Sequence, residues 1–396
     1  MFTTDLPPSA DAVIIGGGIN GAAAAFFLSR AGLRPVIVER LPVLAGLTTS
    51  RSMEAFRAQF VEPEHIALML ESIDFYVHFA ERTGLAECDI GIHQQGYLFL
   101  TAQPERFAEF RERVAAQHAL GLTDVQFLDG EALRKAFPYV SDQVVAGTFR
   151  QGDGWLSSNE ATQGFVRASA AQVVLNTTVN GFLVSDGRVT GVQTDRGPIA
   201  TPVVVLAAGP YAARVAALAH IELPLQVVRR HRVTIGEHPL IPTWAPMTID
   251  QDTGAHWRPE GPGAALAWAQ AHEPPGEPVD NVRPNPNFPF EVLEGVSRLN
   301  PFWEEVAGSL KSSQVRLSAG QYTMTPDGEP LVGPHPALDG FFLMVSCNGH
   351  GVMAAPGVGR LLADLVVGRR DDASNPFSYR RLSAPPASTA MHQRLL

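Results

Sequence analysis

AVIIGGGINGAAAAFFLSRAGLRPVIVER, residues 12–40, holds a complete strand, turn, helix and strand. AVII reads as a buried strand, AAAAFFLSRAG as a helix closed by glycine, and PVIVER as the next strand. Gly16, Gly18 and Gly21 between them form G-x-G-x-x-G. In that context the first glycine makes the turn, the second lets backbone approach a pyrophosphate, and the third lets helix and strand pack closely. The helix start offers free N–H groups to the phosphate. Glu39 ends the second strand, where its carboxylate suits ribose hydroxyls and disfavours the 2′-phosphate of NADP. Gly16, Gly18, Ile19, Asn20, Gly21, Glu39 and Arg40 are therefore candidate dinucleotide contacts. The fingerprint alone leaves NAD and FAD both open.

The same strand, glycine turn and helix order returns twice, in TPVVVLAAGPYAARVAALA (201–219) and in GFFLMVSCNGHGVMAAPGVGRLLADLVVG (340–368). Between these lie amphipathic helices and β-rich sequence. Ile66, Met69, Leu70, Ile73, Val77 and Ala80 predict one helix over 64–82. GYLFLT (96–101) reads as a strand, and 104–121 as a helix opened by proline. LDGEALRKAFP is a short helix stopped at Pro138. Residues 187–197 read as a hairpin, and 221–270 as several short strands. HEPPGEPVDNVRPNPNFPF (272–290) is too proline-rich for a regular element and reads as a surface loop.

This layout predicts an α/β, two-domain (α+β) fold. A Rossmann-like dinucleotide domain, residues 1–85, 145–220 and 320–385, is interrupted by a substrate domain on a mixed or antiparallel sheet, residues 86–144 and 221–319. Residues 386–396 form a C-terminal tail.

Composition narrows the function. A chain of 396 residues is long enough for two cores. A net charge of −10 argues against a nucleic-acid partner, because phosphate binding needs a basic surface. Lys135 and Lys311 are the only lysines, so a lysine-dependent mechanism has two candidates. Two cysteines, Cys88 and Cys347, are too few for a disulfide framework and fit a reducing compartment. The first residues lack a signal-peptide pattern, and no apolar run reaches the ~20 residues of a membrane span. A cytoplasmic location is the expectation.

The second glycine-rich helix start, CNGHGVMAAPGVG, bears on the cofactor. Its backbone N–H groups and dipole would meet the pyrimidine end of a flavin and stabilise the negative charge of the reduced ring. This favours FAD over NAD, as does a fingerprint lying at the beginning of the chain.

Five motifs, in order, carry a family resemblance: VIIGGGINGAAAAFFLSRAG…VIVER, TTSRSMEAFRAQF, GYLFLT, VVVLAAGPYA and YTMTPDGEPLVG…CNGHGVMAAPGVGRLLADL. Nearly the whole chain resembles the D-amino-acid oxidase superfamily of FAD enzymes. Within it the resemblance is to the sarcosine oxidase and dimethylglycine dehydrogenase branch, closest to sarcosine oxidase β-subunit-like proteins. It implies oxidation of a secondary or tertiary amine, commonly an N-methyl amino acid. A hydride passes from the carbon next to nitrogen to flavin N5, and the imine is hydrolysed. O2 or another acceptor would reoxidise the flavin, and a partner subunit is an option within this branch. So are a 2-hydroxy-acid dehydrogenase and a flavoprotein subunit or assembly factor.

The resemblance also nominates residues. Thr48, Thr49, Ser50 and Arg51 fall by the pyrophosphate and ribityl chain, Val179 by adenine, and Ala208 and Gly209 at a second FAD turn. Gly349, His350, Gly351, Val352 and Met353 fall along the flavin edge. Arg57 matches an arginine that binds substrate carboxylate, a role suited to a guanidinium fork. Tyr322 matches a tyrosine over the ring. His256 and Arg258 lie where substrate-facing strands are expected, while Tyr97 and Trp155 read as core. Gly320 stands where relatives carry a flavin-linking cysteine, and the first histidine is His65, within a helix, so FAD is expected to be non-covalent. Met353 stands where the monomeric enzyme has a carboxylate-binding lysine, and GAALAWAQ lacks the lysine associated with O2. With Trp268, Met353 implies a more apolar pocket.

Overall fold

The computed structural model describes residues 2–269, 273–345 and 347–383; the expected tail, 386–396, lies outside them. A six-stranded sheet runs in the order Leu331–Pro334, Phe341–Val345, Val204–Leu206, Ala12–Ile15, Pro35–Val38, Gln172–Val174. Its pairings are parallel except the one between Leu331–Pro334 and Phe341–Val345. Ala12–Ile15, Pro35–Val38 and Val204–Leu206 are buried throughout, as strands covered on both faces must be.

The helix Ile19–Arg30 packs on the helix Gly351–Val366 and on Ser158–Ala168. Ala22, Ala23, Ala24 and Ala25 are wholly buried. These small side chains explain the close approach: a Cβ on Gly359 would lie 3.2 Å from that of Ala23. Pro356 sits inside the helix Gly351–Val366, in its first half.

A nine-stranded sheet forms the second layer. The strands Gln226–Ile235 and Val315–Met324 pair antiparallel along ten residues, from Gln226 opposite Met324 to Ile235 opposite Val315. The sheet continues through Gly263–Trp268, Ala255–Glu260, Met247–Asp250 and Tyr97–Thr101 to Ala146–Arg150 and Gln126–Asp129. Met247–Asp250 runs parallel to Tyr97–Thr101, so the sheet is mixed. The expected segment boundaries shift accordingly. Ala146–Arg150 and the end of Val315–Met324 fall in the nine-stranded sheet, because each pairs there along its length.

Two helices also differ from expectation. The single helix expected over 64–82 is two, Pro63–Val77 and Phe79–Thr83, broken at His78, whose φ of −104° and ψ of 28° interrupt the helical path. The second ends at Gly84 in the left-handed region, φ 73°, where glycine is at home. The proline-opened stretch begins as a 3₁₀ turn, Pro104–Arg106, before the helix Phe107–Ala119.

Candidate active site

Two cavities adjoin each other. The larger, about 380 Å³, is walled by the first glycine turn, the end of Pro35–Val38, residues 45–49, residues 177–179, the 207–211 turn and the start of the helix Gly351–Val366. The smaller, about 90 Å³, is walled by residues 51–57, the strand Gln226–Ile235, His256 and Trp268. Ser52, Tyr322, Asn348, Gly349 and Val352 line both.

The backbone of the first turn is forced by packing. Gly16 has φ +112°, and a Cβ there would lie 2.5 Å from the carbonyl oxygen of Ala207. A Cβ on Gly21 would lie 2.0 Å from the Gly16 oxygen, so only glycine lets helix and turn meet. Gly18 differs: its Cβ would meet only Thr49 Oγ1, at 3.3 Å. Its bareness faces the cavity rather than the protein. The Gly18 helix start has no side-chain cap. Asn20 Oδ1, buried at the cavity wall, has no hydrogen-bond partner among the described residues. A cavity lined by two helix starts without side-chain caps among the described residues, with an unsatisfied polar atom on its wall, fits FAD.

Most expected FAD residues line this cavity: Gly16, Gly18, Ile19, Asn20, Glu39, Arg40, Thr48, Thr49, Val179, Ala208, Gly209, Gly349, Gly351 and Val352. Glu39 is held by its surroundings, accepting from Gly17 N at 2.7 Å and Leu41 N at 2.8 Å. The other five expected residues lie elsewhere. Gly21 acts in packing and does not line the cavity. Ser50 turns away to donate to the Leu47 carbonyl. Arg51 and Met353 line the smaller cavity. His350, partly buried, does too.

In the smaller cavity, Arg57 is 4% exposed. It donates to the Gln59 carbonyl at 2.8 Å and lies 4.0 Å over the Phe60 ring. Phe60 stacks on His65 and meets His350 edge-on, 5.4 Å between centroids. Burial, with Arg57 and His65 nearby, drops the His350 pKa well below its ordinary value, so the imidazole is neutral. His256 lines the cavity with Nδ1 2.9 Å from the Gly254 oxygen, and burial lowers its pKa to about 4. Tyr322 lies against the flavin-edge loop: a Cβ on Gly349, φ +89°, would sit 2.7 Å from Tyr322 Cε2. Tyr97, read as core, is buried but also walls this cavity.

Arg258 is not part of the wall. Its guanidinium is committed to the Met53 and Pro259 carbonyls and to Glu54 Oε2, all within 3.2 Å. These bonds hold the wall in place. Gln59 is likewise core, bonded to Tyr97, Asp153 and Thr148.

Sequence reading missed one cavity element. The proline-rich stretch does not border the smaller cavity but is pinned beside the larger one. Asp280 pairs with Arg40 and accepts from Tyr211 Oη at 2.5 Å. Gln321 accepts from Val279 N at 2.9 Å and donates to the Glu277 oxygen at 2.8 Å. Arg40, Tyr211 and Gln321 all line the larger cavity. A lone Asp among prolines offered no periodic signal.

The DAO family profile, FAD dependent oxidoreductase, matches residues 11–365. The chain belongs to this family. It is 28% identical to FAD-dependent oxidoreductase domain-containing protein 1 of Xenopus laevis, across 96% of this chain and 84% of that protein. It is 29% identical to mitochondrial sarcosine dehydrogenase of Homo sapiens over 95% of this chain, but spans only 42% of that longer protein. The crystal structure of L-proline dehydrogenase from P. horikoshii superposes with a TM-score of 0.84 at 25% identity, covering 96% of this chain and 99% of that one. The DAO-family chain is thus an FAD-dependent oxidoreductase with the two-layer fold of its flavoenzyme relatives. Among the described residues no helix is long and apolar enough to cross a membrane.

Proposed function

We propose that this oxidoreductase oxidises an amine or amino acid that carries a carboxylate, most simply a secondary or tertiary N-alkyl amino acid. The observation carrying this reading is Arg57, a buried guanidinium on the wall of a small cavity adjoining the FAD cavity, with no carboxylate partner among the described residues. A bidentate carboxylate is the natural partner for such a group.

FAD, when bound, supplies a two-electron acceptor for a hydride. Arg57 fixes the substrate carboxylate. Tyr322, Met353 and Trp268 close the remaining walls and keep water low around the amine. The cationic surroundings disfavour a further positive charge, so the amine is held unprotonated with its lone pair free. The C–H bond next to nitrogen then breaks with its electron pair leaving as hydride, and the nitrogen lone pair forms C=N. Water adds to this imine and splits it into an amine and a carbonyl compound.

No side-chain base is required for this step. Oxidation of a 2-hydroxy acid would need one for the hydroxyl proton, and His256, near pKa 4, is poorly matched to that task. FAD is held non-covalently in this proposal, O2 or another acceptor closes the cycle, and a partner subunit is an option within it. A cytoplasmic location accords with two buried free cysteines.

The test is an anaerobic spectrum of the flavoprotein during addition of sarcosine, dimethylglycine, proline, D- and L-amino acids and 2-hydroxy acids. Bleaching by an amino or imino acid is expected, slowed in Arg57→Ala by roughly 100-fold, the scale of a lost charged hydrogen-bond pair. Bleaching by hydroxy acids alone sinks the amine reading.

A further inference from the structure

The smaller cavity has a charge imbalance that one carboxylate does not balance. Four arginines line it, Arg51, Arg57, Arg230 and Arg232, against one acidic residue, Glu54. Glu54 is already committed, to Arg232 and Arg258. Arg232 also reaches Glu260 and the Ser52 carbonyl. Arg230 and Arg232, two apart on one strand, face the same side of the sheet. Among the described residues Arg232 has acidic partners at ion-pair distance, while Arg230 feels Glu273 only from farther off. Arg230 donates to the carbonyl of Arg229, its neighbour, and lies 5.9 Å from the centre of the Tyr322 ring.

The register explains how Arg230 comes to face this space. It stands opposite Gly320 on the strand Val315–Met324. With no side chain at Gly320, Arg51 packs over that position, 3.1 Å from where a Cβ would be. Arg51 gives its Nη1 hydrogens to the Gly46 and Leu47 carbonyls and has no carboxylate partner among the described residues. Arg230 thus makes a cationic end beside Tyr322, while Arg57 makes another beside His350 and Phe60. In a chain of net charge −10 this is a local feature, not a general basicity. Guanidinium groups withdrawn from water without anions are costly, so a ligand that supplies them is favoured.

We infer that the substrate carries two anionic groups: an N-substituted amino dicarboxylate, one carboxylate held by Arg57 and the second by Arg230. This rests on the amine reading above and names its substrate class. The cavity, about 90 Å³, suits a compact molecule of this kind. At about 10–15 Å³ per water it holds roughly six to nine waters. Arg230 then sets specificity, and the amine lies between the two anchors.

The experiment titrates the FAD-loaded protein with inert acids and follows the flavin absorbance. Succinate and glutarate are compared with acetate and propionate. Dicarboxylates should bind at least roughly ten-fold more tightly, the worth of one further charge-assisted pair. Arg230→Gln should collapse that preference towards unity, and Arg230→Lys, which keeps the charge, should restore much of it. In parallel, iminodiacetate and N-methylaspartate should bleach the flavin at lower concentration than sarcosine. Equal binding of mono- and dicarboxylates, or a preference unchanged in Arg230→Gln, overturns the inference. A dicarboxylate preference without bleaching by any amine leaves the paired anchor standing and fails the amine reading. Bleaching by sarcosine with no dicarboxylate preference does the reverse.

Discussion

Arg40 and Asp280, 240 residues apart in sequence, form a two-pronged ion pair beside the cofactor cavity, with Arg40 Nη1 2.7 Å from Asp280 Oδ2. Arg40 also lies 4.2 Å over the ring of Tyr211, whose hydroxyl bonds the same carboxylate. Arg40 and Tyr211 hold the Asp280 carboxyl down at a pKa of about 2, so the pair stays charged through the neutral range. The Asp280 side chain is 52% exposed, which limits the strength of the pair. Asp280→Asn should therefore speed FAD loss only about two- to five-fold, the scale of ~0.5–1 kcal/mol. The rise of free-flavin fluorescence after dilution reads this rate. High salt should bring the wild-type protein towards the variant.

The two glycines of the first turn should separate cofactor binding from folding. Gly18→Ala meets only a movable threonine hydroxyl at 3.3 Å, so the protein should fold normally. Its methyl group would occupy the approach of the pyrophosphate, weakening FAD by at least roughly ten-fold, or ~1.4 kcal/mol. Gly21→Ala places a methyl 2.0 Å from a backbone oxygen and should lower the unfolding midpoint of the apoprotein itself. Equal stability loss in both variants would remove the distinction.

The same glycines mark how far the sequence could be read. The first turn, the parallel strands and the flavin-edge loop were legible because strand and helix periods and positive-φ glycines are local signals. Arg57, Tyr322 and His256 were placed by motif position, and the smaller cavity collects all three. The bond from Arg258 to Glu54, 204 residues away, leaves no trace in local pattern. The placing of Ala146–Arg150 and of Asp280 depends on long-range pairing in the same way. The role of Arg230 needed the strand register that sets it opposite Gly320.

Non-covalent FAD is a prediction with a direct readout. Among the described residues of the larger cavity, Cys347 is the side chain whose sulfur could in principle bond a flavin covalently. Its thiol is buried, accepts from Asn20 Nδ2 at 3.4 Å, and is pushed up to about 11, which keeps it a thiol rather than a nucleophilic thiolate. Acid precipitation should leave the yellow colour in the supernatant, and Cys347→Ser should change nothing in that partition. Colour in the pellet would contradict this.

His256 should make the protein sensitive to mild acid. Its folded pKa, about 4, lies below the ordinary 6.5, so on acidification the unfolded chain takes up the proton first. The stability it contributes is complete above pH ~6.5 and is lost as pH falls through about 4, at up to ~1.4 kcal/mol per pH unit. His256→Gln should be less stable at pH 7.5 but show a shallower loss between pH 6.5 and 4.5. Denaturant midpoints at each pH measure the two slopes, and parallel slopes would refute the assignment.

Glu54 ties the wall of the smaller cavity to two buried arginines, and this makes it a more sensitive position than its surface-like charge suggests. Its φ of 59° is unusual for a residue with a side chain. Oε2 lies 3.2 Å from Arg258 Nη2 and 3.5 Å from Arg232 Nη1, and Oε1 accepts from Ser158 N and Oγ. Arg258 Nε in turn holds the Met53 carbonyl at 2.8 Å, so the carboxylate, the guanidinium and segment 52–54 act as one unit. Burial already lowers Arg258 to about 10. Glu54→Gln keeps the shape and removes the charge between the arginines, leaving Glu260 as their remaining counter-ion. The cost should be about 2–3 kcal/mol, less than for a wholly orphaned buried ion. Adding Arg258→Met to Glu54→Gln should recover part of the loss, because one unpaired charge then disappears with its packing largely retained. A double-mutant cycle in urea, at constant m, reads the coupling. Strictly additive losses would show that Glu54 acts through its backbone conformation alone.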